Sequence, residues 1–159
     1  MNSFSSRVLV NHPSWFTYQL FLDERLMPQW ISGFQSIEIV MGAPRQAGSM
    51  YRLRIRYQDE DVTVYYKLLQ AEPHQRLTLE MEHRQFKTHS VICFEGTGNV
   101  TELGYRVKIF PKNLKVRLAM PFLKGLLQNR SQWDYHMFKK IAEKQTRPAA
   151  SGSLLQNLF

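Results

Sequence analysis

At 159 residues the chain is long enough to bury one core and too short for two domains. Its 43% hydrophobic, 13% aromatic and 21% charged residues are ordinary for a globular protein. The formal charge of +8 is lopsided: residues 1–103 carry ten basic and eleven acidic side chains, and residues 104–159 carry eleven basic and two acidic. Cys93 is alone, which excludes an intrachain disulfide and a zinc site of several thiolates. The start has no signal-like pattern and no apolar run reaches about 18 residues, so a cytoplasmic location is expected.

A short strand is expected over 4–10, closed by the turn Asn11-His12-Pro13-Ser14, with Ser14 as N-cap of a helix over 15–22. A second short helix is expected over 24–31, and Gly33 ends the pair. From Phe34 the hydrophobic period changes to two. Strands are expected over 34–41, 51–57, 62–68, 77–83, 88–95 and 101–110, separated by Gly42 to Gly48, Asp59-Glu60-Asp61, Glu72-Pro73-His74 and Gly96-Thr-Gly-Asn99. The clearest alternates Tyr51, Leu53, Ile55 and Tyr57 with Arg52, Arg54 and Arg56, giving one buried face and one cationic face.

From Pro121 to Ala142 the apolar residues return every third or fourth position, at Leu123, Leu126, Leu127, Trp133, Met137 and Ile141. That is an amphipathic helix of about six to eight turns, with Tyr135 on its polar side. It begins either at an Asn113 cap or at Pro121, and in the second case the strand before it could run on to 119. Arg130 and Asp134 interrupt the stripe four residues apart. They form either a structural ion pair or a cation aimed into a pocket with a carboxylate orienting it. Residues 1–145 thus read as one α+β domain, a curved antiparallel sheet of about seven strands around a long C-terminal helix. Residues 146–159 read as a flexible tail with an apolar end at Leu154 to Phe159.

Asp23-Glu24 leading to Trp30, the Gly42 to Gly48-Ser49 loop before Tyr51-Arg52, Glu72-Pro73 before Arg76-Leu77, and Val100-Thr101-Glu102-Leu103 accompany this element order over roughly residues 4–144. Together they resemble the helix-grip fold of the START, Bet v 1 and polyketide-cyclase (SRPBCC) superfamily. None of these motifs is catalytic. The resemblance implies a mainly apolar cavity between helix and sheet that takes a lipid, polyketide or similar hydrophobic molecule. The lining expected here is Tyr51, Tyr66, Met81, His83, Tyr105, Leu123 and Leu126, with Arg130 near the polar end.

Two other classes stay open. A polyketide cyclase or dehydratase needs an acid or base, for which His83 with Tyr66 or Tyr105 is the candidate. A peripheral adaptor would instead use Lys115, Arg117 and Lys124 against an anionic membrane or an acidic protein. The cations are spaced like a solvated helix face, which speaks against nucleic acid. His12, His74, His89 and His136 lack metal-ligand spacing, and no phosphate loop or Gly-x-Ser-x-Gly occurs, so neither metal nor cofactor is expected. Neither ligand identity nor oligomeric state is written in the sequence.

Overall fold

The structure, a computed structural model, describes residues 2–148, so the apolar tail end expected at 154–159 lies outside the described residues. Strand β1 (Ser3–Val10) is followed by helices α1 (Ser14–Phe21) and α2 (Met27–Trp30). Then come β2 (Phe34–Met41), β3 (Met50–Tyr57), β4 (Glu60–Glu72), β5 (Arg76–Glu82), β6 (Phe86–Thr97) and β7 (Val100–Pro111), and finally α3 (Leu114–Leu118) and α4 (Met120–Glu143). The strands form one antiparallel sheet in the order β1-β7-β6-β5-β4-β3-β2. Consecutive β1 and β2 therefore sit at opposite edges, and α1 and α2 are the path between them. Their apolar side chains are buried along the way: Phe16, Tyr18, Leu20 and Phe21 from α1, Met27 and Trp30 from α2.

Strand register decides which side chains meet the helices, because side chains alternate between faces. Tyr51 stands opposite Tyr66, Tyr66 opposite Met81, Met81 opposite Thr88 and Thr88 opposite Ile109. One continuous row thus crosses the sheet on its inner face. A parallel row runs Leu77, Ile92, Tyr105 and Ser6. The arginine row faces outward as expected. Arg52 pairs with Glu38 on β2, and Arg56 lies 3.6 Å from Asp61.

Four local expectations are corrected. Ser14 does not cap α1; Pro13, in extended conformation, holds that position without a side-chain bond, and Ser14 is the first helical residue. The second helix shrinks to four residues, because Asp23 bonds the Arg25 amide at 3.0 Å and holds the chain in a turn before Pro28 lets a helix start. No strand continues to 119: Asn113 accepts the Val116 amide at 2.9 Å and caps α3, and a second helical start follows with Pro121 in its first turn. The last correction is the helix phase. Asp134, Phe138 and Ala142 are the buried line of α4 and Tyr135 turns inward, while Trp133 and Leu126 are exposed.

Candidate functional site

The inner face of α4 carries a charged pair, and the fold closes around it from the α2–β2 turn. Asp134 accepts the Ser32 amide at 3.1 Å and the Ser32 hydroxyl, and Arg130 donates from Nη2 to the Ser32 carbonyl at 2.5 Å. Within the pair, Arg130 Nε lies 3.8 Å from Asp134 Oδ2. One turn of helix separates the two residues, so both reach the same backbone segment. Gly33 makes that approach feasible. It sits at φ +69°, where a side chain would be strained, and a Cβ there would lie 2.1 Å from the Arg56 carbonyl oxygen.

Electrostatics follow from this burial. Desolvation raises the Asp134 carboxyl above its ordinary value, against the downward pull of the Ser32 hydroxyl and the Arg130 charge. Burial likewise raises the Tyr66 phenol, with Arg130 pulling it down and Asp134 pushing it up, so that ring stands in the field of both charges. Tyr135 is raised well above the phenol range by burial and then by Tyr105, Tyr66 and Asp134. Tyr105 is raised by burial and by Asp134, with Ser6 opposing. The three phenols therefore stay protonated at neutral pH, in a site that also holds a guanidinium.

Aromatic packing fills one half of the space under α4. Tyr105 and Tyr135 stack at 3.9 Å between centroids, and Phe138 packs edge-on against Phe21 and Trp30, each at 5.3 Å. Largely aliphatic side chains continue beyond it. Ile55, Val62, Tyr66 and Leu79 from the sheet and Leu123 and Leu127 from the helix pack on the core while staying partly accessible. A separate open groove of about 420 Å³ lies outside this space, lined by Asn2, Lys108, Ile109, Phe110, Pro111 and Arg117.

The candidate residues distribute as follows. Tyr66, Tyr105 and Arg130 gather around Asp134, and Met81 adjoins Tyr66 in the cross-sheet row. Tyr51 lies at the far end of that row, where its hydroxyl accepts the Arg45 amide at 2.9 Å and ties down the β2–β3 loop. Leu123 faces the core and Leu126 is at the solvent margin of the helix. His83 stands in the β5–β6 turn, with its ring 4.5 Å from Phe86 and Nδ1 accepting the Gln85 amide at 3.1 Å. Burial, then Arg84 and Lys112, lower its pKa, so the ring is neutral, and among the described residues no carboxylate bonds to it. Sequence reasoning missed Ser32, Tyr135 and Trp30. Tyr135 is one residue from Asp134, and its inward turn follows once the helix phase is set by Asp134 instead of Trp133. Trp30 Nε1 is buried without a partner among the described residues, a donor in the aromatic cluster. Ser32 acts through its backbone and hydroxyl and has no sequence signal.

No family model and no curated protein matches the sequence. Solved structures do match its fold. A START superfamily protein from Mycobacterium smegmatis superposes with a TM-score of 0.76 at 15% identity, covering 91% of this chain and 99% of that one. The Zhui aromatase/cyclase from Streptomyces sp. R1128 gives 0.74 at 13%, covering 93% and 97%. Ara h 8.0201 gives 0.72 at 14%, covering 90% and 98%. The architecture expected from the residue pattern is therefore the observed one: a helix-grip fold of the START, Bet v 1 and polyketide-cyclase type.

Proposed function

From this helix-grip architecture we propose that the chain binds or carries a hydrophobic small molecule under the N-terminal half of α4, with Arg130 at the polar end of the site. The observation that carries this is a guanidinium set into the inner face of the helix beside Tyr66, next to aliphatic side chains that the protein covers only in part. Arg130 has five N–H donors and spends one on Ser32, so it retains capacity for a carboxylate, sulfonate or carbonyl. Tyr66, Met81 and Leu123 would form the near walls, with Tyr51 at one end of their row and Tyr105 in the neighbouring row.

A cyclase or dehydratase would need a proton acceptor on the same space. His83 is neutral but sits in a turn, with one ring nitrogen already engaged, whereas carriage of a ligand needs no base. Binding is therefore the preferred function, in a chain where no helix of the described residues is long and apolar enough to cross a membrane.

The test is titration with 8-anilinonaphthalene-1-sulfonate, whose rings and sulfonate match the two ends of the site, alongside native mass spectrometry of freshly purified protein. Wild type should show saturable binding with its unfolding still cooperative. Arg130→Met combined with Asp134→Asn, which leaves no stranded charge, should weaken it about tenfold, or roughly 1.4 kcal/mol. Leu123→Trp should abolish it. Equal affinity in all three proteins would overturn the proposal.

A further inference from the structure

The outer side of the C-terminal helices has an apolar surface that the grip fold does not use. Leu114, Leu118 and Phe122 follow one another at four-residue steps and are 67%, 76% and 72% exposed, and Trp133, 61% exposed, extends the line along α4. The Ala119 amide bonds to the Lys115 carbonyl at 3.2 Å and closes α3, and the Leu123 amide bonds to the Ala119 carbonyl at 3.0 Å and opens α4, so the two helices meet at a single residue with exposed apolar side chains on either side of the joint. Solvent-facing leucine, phenylalanine and tryptophan clustered on neighbouring helical turns are what a buried partner face looks like before the partner arrives.

Charge identifies the partner. Between Glu102 and Asp134 the sequence has no acidic residue and seven basic ones. Lys112 is neutralised by Glu82 and Arg130 by Asp134, whereas Lys108, Lys115, Arg117 and Lys124 have no ion-pair partner among the described residues. Lys108 and Arg117 also line the 420 Å³ groove with Phe110 and Pro111, and Phe110 is half exposed, so a cationic recess opens where the apolar stripe begins. Exposed apolar side chains beside cations that have no ion-pair partner among the described residues complement an anionic lipid surface: the apolar side chains enter the headgroup boundary and the cations meet lipid phosphates.

We infer that the α3–α4 outer face is a docking site for an anionic phospholipid bilayer, with the Lys108/Arg117 groove receiving a lipid headgroup. This inference is independent of the ligand site proposed under α4. The experiment is co-sedimentation of the full chain with vesicles of phosphatidylcholine alone and of phosphatidylcholine with 30% phosphatidylglycerol, at low and high salt. Binding is expected to the anionic vesicles, to weaken as salt rises, and to fall about tenfold or more in Leu118→Ser/Phe122→Ser and in Lys115→Glu/Arg117→Glu. Circular dichroism and unfolding of these surface variants should match wild type. Absence of binding to anionic vesicles, or binding unchanged in both variants, would overturn the inference. So would a wild-type dimer, absent in Leu118→Ser/Phe122→Ser, that leaves vesicles untouched, since the stripe would then belong to a second copy of the chain.

Discussion

Asp134 sits in an environment that disfavours its charged form. A carboxylate on the buried line of a helix carries a desolvation cost, here offset in part by two bonds from Ser32 and by the Arg130 charge, and the pKa stays raised. A carboxyl whose folded pKa exceeds its unfolded value makes the protein less stable as pH rises through the window between the two, starting near the ordinary value of 3.8. Asp134→Asn lacks that slope. The difference in unfolding free energy, variant minus wild type, should therefore rise with pH across that window, as measured by urea unfolding at several pH values. A flat or falling difference would contradict the raised pKa. Both charges could be seen in the sequence as an interruption of the stripe. Their common attachment to Ser32 could not, because it depends on where the α2–β2 turn lands, 102 residues away in the chain from Asp134.

Elements differ in how legible they are. Strands β2 to β7 follow from alternation, and turn residues mark every reversal except the one from β5 to β6, where His83-Arg84-Gln85 turn the chain without a glycine or proline. The long helix is equally plain in existence and wrong in phase, because it is apolar on two sides. Leu123 and Leu127 pack on the core while Leu118, Phe122 and Trp133 face outward, and periodicity cannot tell a core stripe from a docking stripe when both have helical spacing. The turn ahead of β2 is where a small change should do most harm. The Arg56 amide bonds to the Gly33 carbonyl at 2.7 Å, while Gly33 holds a left-handed backbone with no room for a Cβ. Gly33→Ala must then either move β3 or release the turn that Asp134 and Arg130 hold. A loss of roughly 2–3 kcal/mol in thermal or denaturant unfolding is expected. A loss below about 1 kcal/mol would mean that the turn relaxes without disturbing the clamp.

At the scale of the whole molecule the grip is asymmetric. The C-terminal end of α4 is fastened to the start of the chain: Glu143 accepts the Asn11 amide at 2.9 Å, Lys139 donates to the Leu9 carbonyl at 2.6 Å, and His12 Nε2 lies 2.8 Å from the Ala142 carbonyl. Phe138 and Ala142 are fully buried there. Among the described residues the N-terminal half has no such fastening beyond the Ser32 clamp, and its Leu123 and Leu127 are only partly covered. Opening that admits a ligand should therefore begin at the N-terminal half while the C-terminal half stays docked, since local opening follows the density of buried contacts. Hydrogen exchange should show it: amides of residues 124–131 should exchange faster than those of 138–142, and 8-anilinonaphthalene-1-sulfonate should slow the first group and leave the second unchanged. Acid gives the complementary check. Desolvation acts to raise the Glu143 pKa, but the bonds from Lys139 and the Asn11 amide outweigh it and hold the carboxyl below its ordinary 4.5. Its contribution is present above that value and is lost as pH falls through the lowered one. Acidification should thus loosen the 138–142 segment specifically. Uniform protection along α4, unchanged by probe or acid, would mean that the helix opens as one piece.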